Sequence, residues 1–124
     1  MYNSKVLEYF KNPKFSGKLK KFNGYGKKGN MACGDTMEVF ILVENNVIKE
    51  ISYLTFGCVA AISNSEALCR LAKGKKIEDA LKITSSEILK HLGTDMPKEK
   101  IHCSVLGAEA LYAAIEDYKE KNDN

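Results

Sequence analysis

Between Thr36 and Glu44 the residues alternate, with Met37, Val39, Ile41 and Val43 on one face. After Asn45-Asn46, the stretch from Val47 to Phe56 is rich in β-branched and aromatic side chains. Alternation is the period of a half-buried strand, and Asn tolerates the positive φ that a two-residue turn requires. The pattern therefore predicts a β-hairpin, and a two-residue turn fixes the pairing along it. Glu44 faces Val47, and the same register, carried on unbroken, sets Cys33 opposite Cys58, with facing Cα atoms about 4.5–5.5 Å apart. Gly34 and Gly57 flank this open end and loosen it, but the two thiols still end as neighbours.

Helical spacing takes over beyond the hairpin. Ala61, Ile62, Ser65, Leu68, Cys69 and Ala72 recur on one side of a helix that stops at Gly74, a suitable C′ residue. Ala108, Leu111, Tyr112, Ile115 and Tyr118 repeat the pattern after Ser104, which is placed as an N-cap. Helices are expected over about 60–73, 77–82, 85–91 and 104–119, after one helix at the N-terminus and a third strand drawn from 22–30. The fold class is α+β: a small three-stranded antiparallel sheet with helices packed on one face. No Pro/Gly-rich linker divides the chain, so 1–124 is read as a single domain able to fold without disulfides.

Cys58 and the pair His102-Cys103 thus fall at helix starts, where the dipole and free N–H groups favour a thiolate. Adding Cys33 and Asp35 brings three thiols, a carboxylate and an imidazole to one end of the sheet, near the surface. Such a set makes a metal site the leading expectation. Singly, each residue has a plainer reading: a Cys as a small buried hydrophobe, Asp35 as a turn residue, His102 as a packing or capping group. Their convergence favours ligation, with Asp35 and His102 as alternative fourth ligands able to exchange. Cys69 lies eleven residues beyond Cys58, about 16 Å along a helix axis, and belongs to the core. His91 sits in the last turn of a short helix ending near Gly93, beside exposed carbonyls. Lys100 is either solvated or close enough to favour the Cys103 thiolate. Two other classes compete: a structural zinc module presenting an interaction surface, and a thiol enzyme using Cys103 and His102. The enzyme ranks last, since no third orienting group is evident for the adjacent pair.

Charge is uneven. The first thirty residues hold eight Lys (5, 11, 14, 18, 20, 21, 27 and 28) against Glu8 alone, and the remainder is net acidic. A solvated surface is the favoured reading, with docking onto an acidic protein as the functional one. Arg70 is the only Arg and no aromatic-basic module is present, which argues against nucleic acid. With no basic leader followed by an apolar run and no membrane-length apolar stretch, the expectation is a cytoplasmic protein with reduced thiols.

Several segments carry a family resemblance. Tyr2 through Phe10 is followed by Asn12-Pro13-Lys14-Phe15-Ser16-Gly17. Then come Cys33-Gly34-Asp35, Thr55-Phe56-Gly57-Cys58, Lys73-Gly74-Lys75, Ala80-Leu81-Lys82-Ile83-Thr84 and His102-Cys103-Ser104-Val105-Leu106-Gly107. In order and spacing they resemble the iron-sulfur cluster assembly scaffolds of the NifU amino-terminal and IscU type, the last two standing closer to the NifU branch. The resemblance implies a scaffold, not an enzyme. Cys33, Cys58 and Cys103 would be thiolate ligands of a transient cluster, 2Fe-2S by preference, with Asp35 and His102 as the non-thiolate candidates. It further implies Cys103 as persulfide acceptor, a cysteine desulfurase as sulfur donor, iron and electron donors, and apo iron-sulfur clients. Fe2+ would enter the site, Zn2+ would be able to fill it when empty, and the chain would be a monomer or homo-oligomer depending on the cluster. The chain departs from the pattern at Val59-Ala60, where many members have Gly-Ser, and at Phe15-Ser16, where Asn-Val is usual. Met96-Pro97-Lys98-Glu99-Lys100 replaces the stretch that a dedicated chaperone recognises in the IscU branch, and with Asn124 as the last residue the expectation is a protein lacking the further cluster-binding domains of full-length NifU.

Overall fold

A computed structural model describes residues 3–30, 34–93 and 102–122, with the backbone alone at 30, 102 and 122. Cys33, its expected approach to Cys58, and Lys100 lie outside the described residues. The order of elements is α1 (Ser4–Lys11), β1 (Gly24–Asn30), β2 (Asp35–Glu44), β3 (Val47–Phe56), α2 (Val59–Ala72), α3 (Ile77–Ala80), α4 (Ser85–Leu92) and α5 (His102–Asn122). The strands form one antiparallel sheet in the order β1-β2-β3.

Asn45 and Asn46 both have positive φ, 53° and 65°, as the two-residue turn requires. The register, however, does not run unbroken. Glu44 pairs with Val47 and Val43 with Ile48, but Leu42 pairs with Glu50, and the shifted ladder continues to Thr36 and Phe56. A bulge at Lys49 is the cause. Ile48 and Ile51 are both buried while Lys49 is exposed, and only an extra residue between them lets both face inward. The direct facing of Cys33 and Cys58 assumed an unbroken register, and the bulge shifts that register by one residue as far as Thr36 and Phe56; Cys33 itself lies outside the described residues. One step past Thr36 and Phe56, the shifted ladder sets Asp35 across from Gly57.

Met37, Val39 and Ile41 on β2, with Ile51 and Tyr53 on β3, form the buried face under the helices. Helix α2 packs on β3, and α5 lies on β1 and β2. The approach of α5 is at backbone distance: a Cβ on Gly26 would stand 2.3 Å from Ala110 O and 2.5 Å from Ala114 N. Only glycine fits there. The loop after α1 is held by Glu66, whose carboxylate is fully buried. It accepts from Lys14 N and Phe15 N at 3.1 Å, from Tyr53 Oη at 3.1 Å and from Arg70 Nε at 2.9 Å. Partners in that number meet the cost of burying a charge.

Two expectations shift. Ser104 is not an N-cap, because α5 already runs from His102 and Ser104 is buried within it. The buried stripe of this helix begins at Cys103 and continues through Leu106, Ala110, Leu111 and Ala114, one turn before the repeat that Ala108 suggests. His91 is not turned to exposed carbonyls, since its Nε2 meets Tyr9 Oη at 2.9 Å. Among the described residues no helix is long and apolar enough to cross a membrane.

Candidate metal centre

Three elements bring one donor each to the end of the sheet. Asp35 opens β2 on the same face as Met37, so its carboxylate points under the helices and is 5% exposed. Cys58 is the N-cap residue of α2, in extended conformation with φ −86° and ψ −176°. It is half-buried. Cys103 lies in the first turn of α5 with no exposed surface.

One carboxylate oxygen and the two sulfurs all lie within 4.8 Å of one another. Cys103 Sγ donates to Asp35 Oδ2 across 3.6 Å. Ligands of a tetrahedral iron or zinc ion stand about 3.5–4 Å apart, given metal–sulfur bonds near 2.3 Å, so small side-chain rotations would close the set on an ion. Both helix N-termini aim at this point, and their dipoles favour anionic ligands. An open cleft of about 620 Å³ leads to it, lined by Gly34, Asp35, Thr55, Phe56, Gly57, Cys58 and Ile62. Thr55 Oγ1 and Ser65 Oγ, 2.6 Å apart, tie β3 to α2 beside it.

Of the five expected ligands, the structure brings Asp35, Cys58 and Cys103 together. Cys33 lies outside the described residues, and of His102 only the backbone is described, at the first position of α5. Among the three ligands whose side chains are described, the expectation of shallow, surface-near placement holds for Cys58 alone, because Cys103 belongs to the buried stripe of α5 and Asp35 to the inner face of β2. Cys69 is fully buried in the core, where burial, reinforced by the nearby Glu66 carboxylate, pushes its thiol well up. The sequence assigns Gly57 only a loosening of the hairpin's open end, whereas in the structure it lies against the Asp35 carboxylate. The Lys49-Glu50 pair interrupting the inward positions Ile48 and Ile51 was the available signal for the shifted register that brings it to Asp35.

The whole chain, residues 1–124, matches the family model described as the NifU-like N terminal domain. It is 48% identical over 122 residues to the iron-sulfur cluster assembly scaffold protein IscU 1 of Archaeoglobus fulgidus, covering 98% of this chain and 79% of that one. It is 42% identical over 120 residues to the nitrogen fixation protein NifU of Azotobacter chroococcum, covering 95% of this chain and 38% of that one. The fold matches the crystal structure of a nitrogen-fixing NifU-like protein (N-terminal) from Brucella abortus, with a TM-score of 0.80, 17% identity, and coverage of 96% of this chain and 94% of that one. The chain belongs to the NifU-like N-terminal domain family.

Proposed function

We propose that this chain is a scaffold on which iron-sulfur clusters are built from iron and desulfurase-derived sulfur and then handed to apo-proteins. The observation that carries this reading is the convergence of Asp35, Cys58 and Cys103 within 4.8 Å at two helix starts, in a member of a family whose relatives are named as such scaffolds. Cys33 completes the thiolate set, and Asp35 or His102 supplies the weaker fourth ligand. Three thiolates and one oxygen or nitrogen donor hold a cluster less firmly than four thiolates, as a donor requires. The protein acts by holding and releasing its cargo, in the cytoplasm, as one unit over residues 1–124.

Sulfur arrives at Cys103. Its thiolate attacks the outer sulfur of the desulfurase persulfide, the S–S bond there breaks, and the desulfurase cysteine leaves as a thiolate. Building a 2Fe-2S cluster from ferrous iron and such sulfur takes up further electrons, so an electron donor acts alongside the iron donor. Anaerobic reconstitution with iron, cysteine and a desulfurase should give a visible chromophore that moves to an apo-ferredoxin, and no chromophore would refute the scaffold.

The rival reading, a structural zinc module, uses the same ligands but makes the metal part of the fold. The core argues against it: Ile41, Ile48, Ile51, Leu68, Ile88, Leu92, Leu111 and Ile115 are at most 2% exposed and do not depend on the site. Chelation should therefore leave the circular dichroism spectrum and cooperative unfolding in place, whereas a structural zinc domain would unfold.

A further inference from the structure

Gly57 lies where the bulge-shifted ladder carries it, across from Asp35 and against the first turn of α2. A Cβ at this position would stand 2.7 Å from Asp35 Oδ1, 3.0 Å from Asp35 Cγ and 2.8 Å from Ala61 Cβ. Ordinary carbon contacts are about 3.5–4.0 Å, so something would have to move. Gly57 is not among the glycines with positive φ, which are Gly17, Gly34, Gly74 and Gly93. Its backbone conformation is therefore open to other residues, and the requirement for glycine is one of space.

The neighbours decide what that space is for. At Gly26 the imagined Cβ meets backbone atoms of α5, which is a packing constraint. At Gly57 it meets the carboxylate of a candidate ligand, whose other oxygen is held 3.6 Å from Cys103 Sγ. Ala61 is fully buried on α2 and has no side-chain rotation to offer. The carboxylate is the end of a side chain that can turn.

We infer that Gly57 is a positioning residue: the hollow left by its missing side chain fixes the Asp35 carboxylate within reach of Cys58 and Cys103. The inference rests on the metal-site reading above. It differs from a packing role in one respect: a methyl group at 57 acts on metal binding through Asp35 and has nothing left to act on once Asp35 is gone.

Anaerobic Co2+ titration of the reduced apo-protein tests it, read by thiolate-to-cobalt absorption and by the ligand-field bands. Asp35→Ala and Gly57→Ala should each weaken Co2+ binding by about tenfold or more, the range seen when a ligand or its support is lost. The two variants should share one ligand-field spectrum, distinct from wild type. Asp35→Ala/Gly57→Ala should bind no more weakly than Asp35→Ala, and Gly57→Ala/Ala61→Gly, which frees the α2 side, should remain as weak as Gly57→Ala. Wild-type binding in Gly57→Ala, additive losses in the double variant, or recovery on adding Ala61→Gly would each overturn the positioning role. Recovery would assign the effect to a shift of α2 and Cys58, and a Gly57→Ala chain that fails to fold leaves the Ala61→Gly combination to decide. A wild type with no thiolate absorption would remove the metal site itself, and the positioning role with it.

Discussion

Cys103 Sγ sits 3.6 Å from Asp35 Oδ2 although 68 residues separate them in the chain. The contact depends on α5 lying against β1 at backbone distance, which Gly26 permits, so that the first turn of the helix ends over the first residue of β2. A thiol and a carboxylate at that separation, with Cys58 beside them, form a set of donors that could hold a metal ion.

The thiols separate by their surroundings. Cys33→Ser, Cys58→Ser and Cys103→Ser should each abolish or severely weaken cluster assembly, because a hydroxyl is a hard, poorly ionised ligand for iron. Cys69→Ser should assemble clusters as wild type does while losing about 1–3 kcal/mol of stability, the cost of a hydroxyl in an apolar core without a good partner. Reconstitution absorbance and urea unfolding of the four variants check both halves, and a folded Cys69→Ser that builds no cluster would contradict the core assignment.

The hairpin, its Asn-Asn turn, the three strands and the main helices were legible because each rests on a local period or a local φ requirement. Legible too was the convergence of Asp35, Cys58 and Cys103, since strand ends and helix starts place them. What local reasoning missed is set by competition between distant groups. Ile48 and Ile51 both seek the core, and the bulge at Lys49 that satisfies them moves the far end of the hairpin by one residue. Ser104 is a good N-cap by type, but Cys103 and Leu106 belong to the buried stripe of α5, and the helix already starts at His102. His91 turns to Tyr9, a residue of α1 that no local pattern connects to it.

Sulfur should appear first on Cys103. The scaffold reading gives Cys103 this role from its place at a helix start, but the side chain has no exposed surface and donates to Asp35, whereas Cys58 is half-buried, so a sulfur donor would have to displace Asp35 to reach it. Mass mapping of the persulfide after incubation with desulfurase and cysteine, without iron, checks the order. A label predominantly on Cys58 would show that exposure selects the acceptor, and one predominantly on Cys33 would equally refute Cys103 as acceptor.

Stability should fall on mild acidification in a way that traces to His91. Burial, then the charges of Lys5 and Arg70, lower the pKa of its imidazole from the ordinary 6.5. The folded state therefore favours the neutral ring, which meets Tyr9 Oη. Above pH 6.5 both states are neutral and nothing is lost. Below it the unfolded chain takes up the proton first, so this contribution declines as pH falls from 6.5 toward the lowered folded value. His91→Gln should flatten that part of the profile in urea unfolding between pH 7.5 and 5.5, and an unchanged slope would place its origin elsewhere.

If the chain is a cluster donor, Asp35 is the residue on which release should turn. A carboxylate is a weaker ligand than a thiolate for a sulfide-bridged iron centre, and it can dissociate on protonation or exchange with His102. Asp35 lies against Gly57 and Cys103, within reach of a dication bound by Cys58 and Cys103, and its removal should weaken Co2+ binding. Release of a finished cluster is a different quantity, the rate at which the least firmly held ligand lets go. For Asp35→Ala, a cluster should still assemble on the three Cys with His102 or an outside ligand completing the site, survive longer in air or chelator, and move more slowly to an acceptor. If Asp35 were only a turn residue at the entry to β2, the same change would lower folding stability a little and leave cluster lifetime unaltered. Cluster decay and apo-ferredoxin transfer, followed side by side for wild type and Asp35→Ala, distinguish the two roles, and equal or faster loss from the variant would retire the labile ligand.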